Sequence, residues 1–479
     1  MKNVVLLLVL IYFHPVTKAQ DMPSMSDTSK KTMTSGMKMD RPVRKSKNPH
    51  KMSSMKDTTI KPMKESMQAM DTKMGMGMNM PMSHSYSLNL PMNRNGSGTS
   101  WLPDSSPVYG YMIPSKKWMY MIHGNIAIRY DKQDVANKGS RGSEQWNAPN
   151  WFMFMAQTNV GKKGLFHFNS MLSFDAITVG GGGYPLLFQT GESWKEKALV
   201  DYQHPHDLFS ELSVAYSYAF SKKSDLSFYV GYPGEPALGS VAFMHRPSAL
   251  ANPDAPISHH WNDGTHITFG VATIGYRFDK FKLEASSFTG REPNENRYNF
   301  DKPTFDSWSG RISFNPDKNW ALQVSHGHIK SPESLHPEEN VKRTTASATF
   351  SYPFNKGKFL NATALWGLNK IKGQDAENAA LLEADLRLMK VDFYTRYEWV
   401  QKSREELNLD ENIYGQFGIY PINAVTLGFN YDLIKAAHTR VAIGSQLSYF
   451  SADSRLNSLY GKNPISFEAF IRIYPELMK

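Results

Sequence analysis

Trp118 to Tyr130, Asn150 to Asn159 and Leu165 to Asp175 each alternate two kinds of side chain. That period of two belongs to β-strands with two unlike faces. In the first segment Trp118, Tyr120, Ile122, Gly124, Ile126, Ile128 and Tyr130 share one face, and Met119, Met121, His123, Asn125, Ala127 and Arg129 share the other. An apolar band with an aromatic residue at each end, backed by polar groups, is the pattern of a strand in a membrane β-barrel, with lipid outside and a polar lumen inside. Phe152, Phe154 and Ala156, then Phe166, Phe168, Leu172 and Phe174, continue the apolar face. If strands adjacent in sequence pair in the sheet, Met119, Met121, His123, Met153, Met155, His167 and Met171 share one wall of the lumen. Such a wall reads as a relay for a soft metal or, alternatively, as the packing of a filled lumen.

The alternation matters because no apolar stretch approaches the ~20 residues of a membrane-spanning helix. The run Val4 to Phe13 is shorter; with Lys2 before it and Thr17-Lys18-Ala19 after it, it reads as a secretory signal over residues 1–19, cut after Ala19 or Gln20. A secreted chain with aromatic, alternating segments points to the outer membrane of a Gram-negative bacterium. The chain has no cysteine, which excludes disulfides and thiolate metal sites.

Residues 20–107 lack the aliphatic material for a core and read as a disordered periplasmic segment. Within residues 20–100 stand sixteen methionines, five of them alternating in Met74-Gly-Met76-Gly-Met78-Asn-Met80-Pro-Met82, with His84 close behind. Thioethers are soft, neutral ligands that select Cu(I), so Met74, Met76, Met78, Met80, Met82 and His84 are candidate ligands for capturing copper. The alternative is a linker whose methionines act as an oxidation sink. As a coil, this segment would span roughly 50 Å.

Residues 108–479 are expected to form the barrel. Strands are predicted at 118–130, 150–160, 164–178, 208–220, 225–232, 266–278, 281–289, 305–315, 320–329, 341–352, 359–369, 380–389, 391–401, 413–431, 439–450 and 465–474. This gives an all-β transmembrane antiparallel barrel of about sixteen strands, with eighteen as the alternative. Short turns alternate with longer loops, as periplasmic turns do with outer loops. An even count keeps both ends of the chain on one side, so 413–431 is read as one strand with a bulge near Pro421. A change of phase between Ile267-Phe269-Val271 and Ile274-Tyr276-Phe278 is read as a second bulge. Glu383, Asp385, Arg387, Asp392, Arg396 and Glu398 fall on inward faces. Ile465, Phe467, Ala469, Ile471 and Ile473 form the lipid face of the closing strand.

Two long connections carry His204, His206, His245, His259 and His260, and His266 opens the next predicted strand. Imidazoles beside carboxylates at this density suit a metal ion. The prolines among them suit a rigid loop folded into the mouth. No strong catalytic motif is present, and the chain is not expected to be an enzyme; a triad of Ser210 or Ser240 with His206 and Asp207 can be written only on paper.

The blocks Gly183 to Glu192, Tyr202 to Phe209, Gly234 to Gly239, His245 to Ala249, His259-His-Trp261 and Gly290 to Pro293 resemble an uncharacterised bacterial outer-membrane β-barrel family associated with copper and heavy-metal resistance loci. The Met-rich leader is similar in character to that of copper resistance protein B. These resemblances imply a barrel and copper as the bound or transported ion, and no catalytic residues.

The expectation is an outer-membrane barrel that binds Cu(I) for resistance, by sequestration or outward passage. Its partners would be outer-membrane lipid, metal ions and periplasmic metal carriers or efflux components, with no nucleic acid. Two rivals stand beside it: a general porin for small solutes, and an outer-membrane lipid hydrolase.

Overall fold

The computed structural model describes residues 82–415 and 418–478. The expected signal sequence, residues 1–19, and Met74, Met76, Met78 and Met80 lie outside the described residues. The wall strands are β1 (Trp118–Lys132), β2 (Asn150–Val160), β3 (Gly164–Leu172), β4 (Phe209–Ser221), β5 (Ser224–Gly231), β6 (Val271–Phe278), β7 (Phe281–Phe288) and β8 (Ser307–Phe314). They continue as β9 (Trp320–Lys330), β10 (Asn340–Asn355), β11 (Lys358–Ile371), β12 (Ala376–Leu388), β13 (Val391–Ser403), β14 (Ile419–Ala436), β15 (Thr439–Ala452) and β16 (Ile465–Pro475). Every strand pairs antiparallel with its neighbours, and β16 closes the barrel on β1 from Phe467 opposite Lys132 to Ile473 opposite Ile126. The closed sixteen-stranded barrel matches the expected fold class.

The wall shows why the alternation was needed. Along β6, Ile274, Tyr276 and Phe278 are exposed, while Val271, Thr273 and Arg277 are buried. Ile122, Ile128, Leu283, Leu427 and Ile471 likewise face outward. This is the lipid-facing surface of a membrane-spanning barrel, and closure leaves no edge strand unpaired in hydrocarbon.

Three expected details differ. The phase change before β6 is no bulge: β6 begins at Val271 and pairs in continuous register with β5 and β7. Ile267 and Phe269 belong to the incoming loop and are buried, and Gly270, with φ +102°, turns the chain into the wall. Pro421 also sits in regular register, opposite Gln401. Pairing of β14 with β15 begins only at Ile422, so the missing N–H of Pro421 faces no neighbour there. The shift in β14 lies instead between Asp432 and Ile434. Lastly, the predicted strand 164–178 stops at Leu172, and Asp175–Thr178 forms a helical turn, α1.

Two insertions fill the lumen. Residues 82–107, expected as part of the leader, run inside the wall. Tyr86, Trp101 and Leu102 are buried, Ser87 donates to Asp225 at 2.6 Å, Arg311 donates to Thr99 Oγ1 at 2.8 Å, and Asn315 donates to the Leu102 carbonyl at 2.9 Å. Ser105 reaches Lys318 and Asn319, in a short turn. This insertion therefore lies toward the short-turn end.

The second insertion is the connection from β5 to β6, residues 232–270. Arg246 in it is fully buried and pairs with Asp263 at 2.7 Å and Glu383 at 2.6 Å. Asp254 pairs with Arg129 at 2.5 Å, and Ser258 donates to Glu398 at 2.7 Å. The inward charges expected on β12 and β13 thus hold the loop as well as each other, as Arg396 does with Glu383 at 3.1 Å. The expected folded-in loop is present.

Removing one member of a buried ion pair leaves the other charge uncompensated, at a typical cost of about 3–5 kcal/mol. Glu383→Ala removes the wall carboxylate shared by Arg246 and Arg396. The expected outcome is release of the 232–270 loop while the strands persist. Sugar entry into proteoliposomes should rise above that of the unaltered protein, with heat-modifiable gel migration retained.

Candidate metal centre

The histidines that sequence places in two loops meet at one point. Tyr202–Gln203 pairs with Tyr184–Pro185 and delivers His204 and His206. A helical turn, α2 (His259–Asn262), delivers His259 and His260. His266 comes from the return of the same loop. The ring centroids run 5.1 Å from His259 to His260, 5.9 Å to His204, 5.9 Å to His206, 5.5 Å to His266 and 4.9 Å back to His259. Five imidazoles therefore close a circuit. One ligand atom each of His204, His259 and His260 lies within 4.8 Å of the others.

Outer contacts fix which nitrogen is free. His206 Nδ1 lies 2.7 Å from Asp175 Oδ2, His259 Nδ1 lies 2.6 Å from Asp263 Oδ1, and His266 Nδ1 lies 2.9 Å from the Asp263 carbonyl. Each acceptor calls for an Nδ1–H, which leaves the Nε2 lone pair unprotonated. Carboxylate- or carbonyl-oriented histidines of this kind are the usual support of metal ligands. Nε2 of His206, His259, His260 and His266 is buried with no hydrogen-bond partner. His204 and His260 face Glu192 at 3.4 Å and Glu292 at 3.6 Å.

Burial keeps these rings neutral. His260 is pushed down to about 4 by burial. Burial, then Arg297 and the neighbouring imidazoles, lowers His204 far below its ordinary value. Burial and the His259 and His206 rings do the same to His266, and burial lowers His259. Burial alone would raise the Asp263 carboxyl, but His259 and Arg246 hold it below its ordinary value. Neutral imidazoles are the form that binds metal.

Beyond the circuit, at the long-loop end, a cavity of about 680 Å³ is lined by nine glutamates, among them Glu192, Glu292, Glu333 and Glu406, against one arginine, Arg291. Burial pushes Glu292 up to about 7. Burial, then Glu406 and other carboxylates, raises Glu333. Crowded carboxylates hold protons that an entering cation can replace. His336, Glu339 and Glu405 form a further group in its wall, their ligand atoms within 4.8 Å. None of these glutamates was singled out in the sequence. The nearest signals were the Gly290-Arg-Glu-Pro293 block and the four-residue step from His259 to Asp263.

The other candidates divide. Met121, Met153, Met155 and Met171 are buried together with Met82 and Met244, and Met119 packs against them. His245 leaves the loop group and stands beside His123, ring centroids 5.8 Å apart. His167 lies apart, its Nε2 3.1 Å from Ser85 Oγ. His84 is buried between Tyr86 and Trp101. The paper triad is not assembled: Ser210 donates to the Asp207 carbonyl and Ser240 to the Val241 carbonyl.

No family model matches the chain, and no curated protein matches it. The resemblance to metal-resistance barrels therefore rests on the blocks quoted above. Several solved structures are similar. OmpF of Salmonella typhi in complex with daunomycin shares 9% identity over 76% of this chain and 100% of its own, with a TM-score of 0.48. The outer-membrane channel DcaP of Acinetobacter baumannii shares 9% over 77% and 100%, at 0.44. The anion-selective porin of Comamonas acidovorans shares 9% over 75% and 99%, at 0.43. What they share with this chain is the fold, a closed antiparallel β-barrel; its function is argued from its own residues.

The depressed imidazoles have a consequence for acid stability. An unfolded histidine takes up its proton near 6.5 and seated His260 only near 4. The seated loops are therefore fully favoured above 6.5 and lose that advantage as pH falls through this window. Hydrogen exchange of residues 256–266 should accelerate from pH 7 to pH 4.5 while exchange in the β12 and β13 amides, corrected for intrinsic rates, stays slow. A constant corrected rate across the loop would refute the buried neutral circuit.

Proposed function

We propose that this barrel is a cation-selective channel of the outer membrane whose passage runs through a transition-metal site at the histidine circuit. The reading keeps the channel alternative drawn from sequence and narrows it from general solutes to metal cations. The observation that carries it is the set of buried Nε2 atoms without partners, three of them on rings oriented through Nδ1 by a carboxylate or carbonyl. Unpaired buried polar atoms are costly, and a shared metal would satisfy several at once.

The long-loop end would face outside, with its glutamates concentrating cations and repelling anions. A general porin fits less well. The cavities below the circuit measure about 50 and 80 Å³, and charged and polar anchors hold the filling loop. Imidazole sites take copper, zinc or nickel, and affinity for divalent ions peaks at copper. Copper is thus the favoured cation, as the Met-rich leader and the resistance-family resemblance also suggest. Sequestration without passage remains the second reading, favoured by the same narrow cavities.

Titration of the detergent-solubilised chain with Zn(II), which discounts the thioethers of the leader, is expected to show a site that His259→Leu with His260→Leu removes. Asp175→Asn, which leaves every ligand but misorients His206, should weaken binding by about 10–100-fold. Binding unchanged in both variants would refute the site. Metal flux into proteoliposomes then separates passage from sequestration.

A further inference from the structure

A second cavity lies deeper, toward the short-turn end. It holds about 80 Å³ and is lined by Met121, His123, Met153, Met155 and His245 together with Met92 of the inner segment. The wall register explains the grouping: Met121 stands opposite Met155 and His123 opposite Met153 across β1 and β2. Directly opposed side chains on one sheet face are near neighbours. The 232–270 loop adds His245, at the end of a short helical turn over Phe243–His245. Its ring lies 5.8 Å from that of His123, and both rest on Trp151, at 4.8 and 5.2 Å.

Packing alone explains the thioethers but not the imidazoles. His123 Nε2 is buried with no partner, although an apolar side chain would fill the same wall. The cavity lining contains no carboxylate, and its one charged group is Arg472, which donates to Asn125 at 2.6 Å. A divalent ion there would remain largely uncompensated beside a guanidinium, whereas a monovalent soft ion needs only neutral donors. Asn125 and Trp151 also line the cavity of about 50 Å³ that contains His206. A member of the histidine circuit therefore borders the next space down.

We infer that this lower cavity is a second metal site, distinct from the histidine circuit, in which His123, His245 and the thioethers of Met121, Met153 and Met155 bind a soft monovalent cation of the Cu(I) or Ag(I) type. It rests on the metal-channel reading only for the route by which the ion arrives. Four pieces of chain build it: two wall strands, the filling loop and the inner segment. Its donors are softer than those of the circuit, so the two sites sort cations by chemistry.

The test uses the full chain in detergent with 13C-methyl-labelled methionine and Ag(I), which undergoes no redox change. The ε-methyl signals of Met121, Met153 and Met155, assigned by single Met→Leu replacements, are expected to shift on saturation with Ag(I). In the His123→Leu, His245→Leu double variant those shifts should disappear, while leader methyls still respond and Zn(II) binding at the circuit is unchanged. Heat-modifiable gel migration reports the folded barrel; should the double variant fail it, His123→Gln decides, with weakened shifts expected. Barrel methyls that stay still under saturating Ag(I), or that shift equally in the variants, would overturn the lower site. Loss of Zn(II) binding in the folded variant would overturn its independence. Absence of Zn(II) binding in the unaltered chain, with the Ag(I) shifts intact, would overturn the circuit and leave the lower site standing.

Discussion

The buried triad of Arg246, Asp263 and Glu383 ties the lumen-filling loop to the wall. Asp263 gives one oxygen to Arg246 and the other to His259, and its carbonyl receives His266. Arg246 passes the connection on to Glu383 in the wall. One carboxylate therefore both anchors the loop that blocks the lumen and orients two members of the histidine circuit. A charged pair so deeply buried is a poor source of net stability. Its value here is geometric: it adds to the anchors at Asp254 and Ser258 and sets the orientation of His259 and His266.

The wall was legible in the sequence because hydrocarbon leaves few options. A strand must alternate, so Tyr276 and Phe278 had to face outward and Arg277 inward. All sixteen wall strands were visible on that ground. Misreadings arose where the constraint lapses. Ile267 and Phe269 are apolar because they pack inside the loop, and they mimic a strand in the wrong phase. Pro421 looked disruptive because nothing in the sequence tells that the pairing of β14 with β15 begins one residue later, at Ile422. Residues 82–107 looked like linker because their partners are polar wall residues such as Asp225, Arg311 and Asn315, so the segment needs little apolar material of its own.

The site was legible in kind and less so in arrangement. Histidine density marked the loops, yet spacing could not separate His245 from His259 or admit His266 to the circuit. Those assignments depend on how α2 and the turn at Phe243–His245 fold back, which is a matter of tertiary packing. The glutamates at the long-loop end come from several connections far apart in sequence, and no local pattern joins Glu192, Glu292, Glu333 and Glu406. By contrast, that Met121, His123, Met153 and Met155 share one wall follows from strand order and alternation, and that wall was predictable; the opposition of Met121 to Met155 and of His123 to Met153 is set by the register.

Along the lumen the donors change in one direction. Carboxylates stand at the long-loop end, neutral imidazoles follow, then two imidazoles with three thioethers. Charge falls along the series while softness rises. A wide water-filled porin needs no such order, since its solutes keep their hydration. Where side chains fill the lumen, a cation can advance only by exchanging water for ligands, and each station must bind well enough to desolvate the ion yet release it onward. On the proposed channel reading, the carboxylates would gather hydrated cations at the entrance. The imidazoles with free Nε2 atoms would then hold a cation where water is excluded, and the thioethers would accept only a soft monovalent one, where no counter-charge is available. On that reading the filled lumen is the condition under which this sequence of ligands would discriminate among metals.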